Sequence, residues 1–269
     1  MCYDISFTVD IRVLSDYFPG LVYDEQIRIN FDAGVHIQGA GAFAEHAIVY
    51  RNREDLLPHC RPMEWGVIPH LVDTPDALAG FLPGRQNYVA IRSERVLDDK
   101  DSYWYKIRNR RCLIPVTGTY EHREVNGWTK KVPYHIRPVD QLVSFIPGLY
   151  CVSQVNPPFT GNTATYRTFG LITRPANIVM RQIHNSGRHP YRMPLFLTFG
   201  MAKQWLSHEL SEYEYRKLLN YEMPSDMLSY HTTDTIRTSK QRADGKPKNA
   251  PFLWANLPAL GKGDPVLFD

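Results

Sequence analysis

Residues 110–124 read RRCLIPVTGTYEHRE, and the reading of this stretch decides the fold class. Between the paired arginines and Glu121 it is mostly apolar or β-branched, which suits a pleated, buried surface. The spacing predicts a strand over Leu113–Glu121 with a carboxylate at its end. Similar runs bounded by Gly, Pro, Asn or Asp predict strands over Cys2–Thr8, His46–Arg51, Met63–Ile68, Tyr88–Arg92, Pro133–Arg137, Leu142–Leu149 and Arg167–Thr173. Helical spacing is confined to Ile11–Tyr17, Pro175–His184, Met201–His208 and Glu212–Tyr221, the last preceded by a capping box of Ser211 and Glu214. These elements predict an α+β protein with a strand-rich centre, a single domain over residues 1–269. The polar, basic stretch SKQRADGKPKNA at 239–250 reads as a surface loop.

Composition narrows the function classes. With 43% hydrophobic and 22% charged residues, the chain can bury a large core. A formal charge of +3 is too small to announce a nucleic-acid binder, so any such partner must be argued from local clusters. No long apolar run follows Met1, and MCYDISFTVDIRV carries acids where a secretion signal needs a basic start, so a cytoplasmic protein is expected. Cys2, Cys60, Cys112 and Cys151 are too scattered for a disulfide framework or a zinc knuckle. Neither a metal nor another cofactor is expected, nor a membrane partner, and the chain is expected to be a monomer.

Four groups of residues could carry chemistry or binding. Cys2 follows Met1 directly, so removal of the methionine exposes an α-amine beside a thiol, each with a nucleophilic fraction near neutral pH. The competing reading is a cysteine buried in an apolar strand. Glu121 ends an apolar run where desolvation raises a carboxyl pKa, or else it is a solvated strand-end glutamate paired with an arginine. His184 stands where a predicted helix meets the loop Asn185-Ser186-Gly187, a place for a functional side chain or for a cation serving the helix dipole. In YWYKIRNRR at 103–111, cations beside aromatic rings suit single-stranded nucleic acid, or form the wet face of an amphipathic helix.

Together the ordered motifs, MC at the start, WGVIP at 65–69, RSE at 92–94, RRCLIPVTGTYE, then IH followed by RMP, resemble the SOS response-associated peptidase (SRAP) family, whose members bind abasic sites in single-stranded DNA. The resemblance runs from Cys2 to about Leu197 and implies central barrel-like sheets flanked by helices. It implies Cys2, Glu121 and His184 as catalytic residues and Arg92, Arg192 and Trp65 as DNA contacts, to which the basic cluster at 103–111 adds Arg110 and Arg111. The family's N-A-R-x-E reads A-I-R-S-E here, so Ala90 stands where the family has an active-site Asn. Asn87 is three residues upstream, which on a strand faces the opposite side. His189 is the alternative imidazole to His184.

A 1,2-aminothiol condenses with the aldehyde of a ring-opened abasic sugar to a thiazolidine, and an N-terminal cysteine carries both groups. The resemblance therefore implies a covalent crosslink through Cys2 after Met1 is removed, with autoproteolysis as the route of removal. Two other classes stay open: a cysteine peptidase acting on other proteins, and a non-catalytic single-stranded DNA-binding module, which Ala90 makes thinkable.

Overall fold

The computed structural model describes residues 2–24, 27, 34–156, 161–207 and 209–265. Its strands are β1 (Asp4–Ser6), β2 (Val22–Tyr23), β3 (Ile37–Gln38), β4 (Glu45–Arg51), β5 (Pro58–Trp65), β6 (Ala90–Arg92), β7 (Arg111–Val116), β8 (Gly118–Arg123), β9 (Val132–Pro138), β10 (Ser144–Val155), β11 (Ala164–Pro175), β12 (Arg192–Pro194) and β13 (Leu228–Thr232). The mixture is α+β.

The larger sheet closes on itself. β11 pairs with β10, β10 with β7, β7 with β4, β4 with β5, and β5 returns to β11 in parallel, making a closed barrel. Closure removes the free edges that an open sheet would have to protect. Every residue of β7 is buried, because the barrel interior takes one face and the helix Phe199–Trp205 covers its outside, Trp205 Nε1 donating to the Cys112 carbonyl at 2.9 Å. A second sheet runs in the order β13-β9-β8-β1-β3.

The stretch RRCLIPVTGTYEHRE is two strands rather than one. β7 ends at Val116, Thr117 turns the chain, and β8 continues in the second sheet, where Ser6 pairs with Gly118. Thr117 fixes the turn: its N–H donates to the Ser6 carbonyl at 2.8 Å, and its hydroxyl lies 3.2 Å from Ser6 Oγ. Gly118 is required by close approach, since a Cβ there would fall 2.1 Å from His135 Nε2. Periodicity within one segment is blind to such a change of sheet, because both strands are buried apolar runs.

Other departures have local causes. β5 begins at Pro58 and includes Pro62, residues that argue against a strand in sequence. Tyr88 closes a 3-10 helix over Leu82–Tyr88, leaving Ala90–Arg92 as the strand. The predicted helix over Pro175–His184 is Ile178–Ile183, capped by Asn177, because Pro175 still belongs to β11. Helix Phe199–Trp205 stops before Ser207, and the predicted end at His208 lies outside the described residues. The capping box of Ser211 and Glu214 is formed as read. Residues 239–250 carry no helix or strand, and the buried Arg242 holds them together through Asp244 and the carbonyls of Pro247, Ala250 and Pro251.

Candidate active site

Pairing of β1 with β8 sets Asp4 opposite Tyr120, so Cys2 and Glu121 meet at the open end of that ladder. Cys2 is fully buried, with its Sγ 3.6 Å from the Asp4 carbonyl. Burial pushes the thiol pKa well above its ordinary value, and the nearby Glu121 and Asp4 carboxylates push it further. The thiol at rest is protonated.

Glu121 is 3% exposed, its Oε1 without a hydrogen-bond partner among the described residues. Desolvation dominates, raising its pKa to about 7, and a hydrogen bond with Cys2 works in the opposite direction. Helix Ile178–Ile183 delivers His184 from the other side, with Nε2 3.8 Å from Glu121 Oε2. The Arg192 backbone N–H donates to His184 Nδ1 at 3.1 Å, so the neutral ring carries its proton on Nε2, toward Glu121. Burial lowers the His184 pKa to about 3, which keeps the ring neutral.

What holds His184 there is Asn185. Its amide accepts from the Glu124 N–H at 2.8 Å and donates to the Glu124 carbonyl at 2.9 Å, tying the loop to the end of β8 as a third strand would. Beneath lies a buried network in which the Asp4 carboxylate accepts from Arg237, with Nε at 3.0 Å, and lies 2.8 Å from His36 Nε2.

Glu121 and His184 open onto a cavity of about 510 Å³, whose wall includes Asn87, Lys131, Arg188, His189 and Arg237. Three of these are exposed cations: Lys131, Arg188 and Arg237. Sequence reasoning passed over them, together with Asn185, because none sits in a distinctive local pattern. Asn87 lines this cavity and Ala90 does not. Asn87 lies in the 3-10 helix Leu82–Tyr88 and not on a strand, so the alternation that would have set it on the opposite face does not apply.

The remaining candidates divide. Arg92 is half-buried at the end of β6, with Nη2 2.9 Å from His189 Nδ1, which places His189 at the cavity rim and leaves His184 as the imidazole beside Glu121. Arg192 is buried and bidentate on Glu94, at 2.5 and 2.9 Å, with a third bond to the Thr173 carbonyl, so its guanidinium is committed within the fold. Trp65, expected at DNA, is instead core: it is fully buried, stacks on Phe169 and spends its indole N–H on the Val89 carbonyl at 2.7 Å. Arg110 and Arg111 stand away from this cavity, Arg111 being buried against Trp205 and Tyr215. Among the described residues no cluster of His, Cys, Asp and Glu is arranged to hold a metal ion, and no helix is long and apolar enough to cross a membrane.

With this geometry in hand, comparison with known proteins is informative. The family model described as SOS response associated peptidase (SRAP) matches residues 12–238, a span that starts after Cys2. The abasic site processing protein YoqW of Bacillus subtilis (strain 168) is 28% identical over 182 residues, 67% of this chain and 72% of that one. YoaM of the same organism, also named an abasic site processing protein, is 25% identical over 183 residues, 67% and 71% of the two chains. A solved protein from Bacteroides thetaiotaomicron superposes with a TM-score of 0.70 at 24% identity, covering 93% of this chain and 97% of that one. One from Bordetella bronchiseptica gives 0.66 at 19% identity over 87% and 100%.

Proposed function

From membership of the SOS response associated peptidase family, to which this chain belongs, we propose that it processes abasic sites in single-stranded DNA by forming a covalent bond through Cys2. The observation that carries this reading is the meeting of the buried Cys2, Glu121 and His184 beside a cavity rimmed with cations. Relatives named for abasic site processing support the substrate class.

The reaction starts once Met1, which lies outside the described residues, is removed; the Cys2 thiol serves as nucleophile for that cleavage too. The freed α-amine adds to the aldehyde of the ring-opened sugar, and the carbinolamine loses water to give an imine. The Cys2 sulfur then bonds to the imine carbon while nitrogen takes up the proton, closing a five-membered thiazolidine with one water released overall. Glu121, with a pKa near 7, has both forms available: its acid form protonates the departing hydroxide and its carboxylate accepts the thiol proton. His184 offers its Nε2–H to that carboxylate and to the sugar oxygen. Lys131 and Arg188, with Arg92 behind His189, hold flanking phosphates, and Arg237, held on Asp4, adds its charge to the rim. Selectivity follows from the chemistry, because a nucleotide that keeps its base presents no aldehyde.

The test is denaturing electrophoresis of the protein, verified by mass spectrometry to lack Met1, after mixing with single-stranded DNA carrying one abasic site. A slow-migrating adduct is expected for the wild type and none for Cys2→Ala, which should retain non-covalent DNA binding. An adduct at normal yield in Cys2→Ala, or none from the Met-free wild type, overturns the reading; DNA binding without an adduct would leave a binding module.

A further inference from the structure

A second cavity, of about 480 Å³, opens where β4, β7 and β10 run side by side, and it shares no lining residue with the candidate active site. Its wall carries the guanidinium groups of Arg51, Arg53 and Arg111, the amides of Asn52 and Asn109, the Tyr150 phenol and one carboxylate, Glu209.

The register makes this clustering costly. β4 pairs with β7 as Val49 with Leu113 and Tyr50 with Cys112; continued by one residue past this last pair, the same register brings Arg51 and Arg111 to facing strand ends. Like charges facing each other across a ladder destabilise it. Arg111 is provided for within the fold: it donates to the Ser207 carbonyl at 2.7 Å and the Tyr215 hydroxyl at 3.2 Å, with its guanidinium near the faces of Trp205 and Tyr215. Arg51 is not, because its Nε is buried with no hydrogen-bond partner among the described residues. Arg53, in the turn after β4, is exposed, and Arg110 enters the same neighbourhood, its carbonyl accepting from the Tyr150 N–H at 2.9 Å. A buried guanidinium N–H without an acceptor is expensive, and an anion seated between Arg51 and the exposed Arg53 supplies the acceptor that Arg51 lacks. Guanidinium forks match the oxygens of phosphate in spacing and plane.

We infer that this cavity binds a phosphate group, held by Arg51 and Arg53 with the amides of Asn52 and Asn109 beside them. The chemistry is the same whether the group is a backbone phosphodiester of a nucleic acid or a free phosphate monoester. It does not depend on the reaction at Cys2.

The signal to follow is the Arg51 Nε–H resonance in a 15N-labelled sample of the full chain, assigned by its disappearance in Arg51→Lys. Inorganic phosphate and a single-stranded oligothymidylate are titrated separately, against chloride at matched ionic strength. A saturable shift with either ligand beyond the chloride effect is expected: a response to phosphate identifies a monoester site, and a response to the oligonucleotide alone identifies a backbone contact. Arg51→Gln/Arg53→Gln, with an otherwise unchanged amide spectrum, should weaken the responding ligand about tenfold or more, as expected for loss of charge-assisted contacts. No shift with either ligand, a shift that chloride reproduces, or wild-type affinity in a folded double variant overturns the assignment.

Discussion

Glu121 is a carboxyl whose burial does the work of tuning. Its folded pKa, about 7, lies above that of an exposed glutamate, so between pH ~4.5 and ~7 the native state holds a proton that the unfolded chain has released. Stability from this group therefore falls as pH rises through that window. Glu121→Gln removes the penalty: urea unfolding should show the variant gaining on the wild type between pH 5 and pH 8, by up to ~3 kcal/mol at the upper end. The same variant should crosslink more slowly at neutral pH, since an amide keeps the shape but moves no proton. An unchanged stability difference across pH would show that Glu121 ionises normally. His184 works in the opposite sense, because its folded pKa of about 3 makes stability fall as pH drops from ~6.5 toward 3.

At the scale of elements, two short segments decide the site. The first is the 3-10 turn that carries Asn87 to the cavity while β6 keeps Ala90 in the wall of the fold. An amide that orients the reacting sugar is then available from Asn87, and Asn87→Ala should slow single-turnover crosslinking about tenfold, the kinetic worth of ~1.4 kcal/mol. Ala90→Asn should give no acceleration; a faster Ala90→Asn protein with an unaffected Asn87→Ala protein would return the role to position 90. The second segment is the loop that Asn185 clamps to Glu124. Asn185→Ala leaves two buried-edge backbone groups unpaired and frees His184 from Glu121. Loss of ~1–3 kcal/mol in unfolding is expected, with a crosslinking rate that falls further than stability alone would explain at temperatures where the protein stays folded. Equal rates with reduced stability would make the clamp structural only.

Across the whole molecule, the C-terminal segment is held to the sheet that bears the site. Arg123, fully buried two residues after Glu121, donates to Asp264 and to the carbonyls of Pro258, Ala259 and Lys262. Arg123→Ala strands these acceptors and should cost about 3 kcal/mol in denaturant unfolding, with limited proteolysis releasing residues after 250 first. Proteolysis that begins elsewhere would show that the segment is held by other contacts. Strand-rich architecture and the capping box at Ser211 were legible in the chain itself, because apolar runs and turn residues keep their local signal; Cys2, Glu121 and His184 stood out there only as candidates, and the fold sets His184 3.8 Å from Glu121. The barrel-like sheets came from the family resemblance and not from periodicity, while the change of sheet at Thr117, the burial of Trp65 and the ion pair that occupies Arg192 were not legible at all. A run such as RRCLIPVTGTYEHRE determined that strands form and that a carboxylate follows them. Only the tertiary structure decided which sheet each strand joins, which arginine is already paired and which cavity each side chain faces, since those outcomes depend on partners tens of residues distant along the chain, to which periodicity carries no reference.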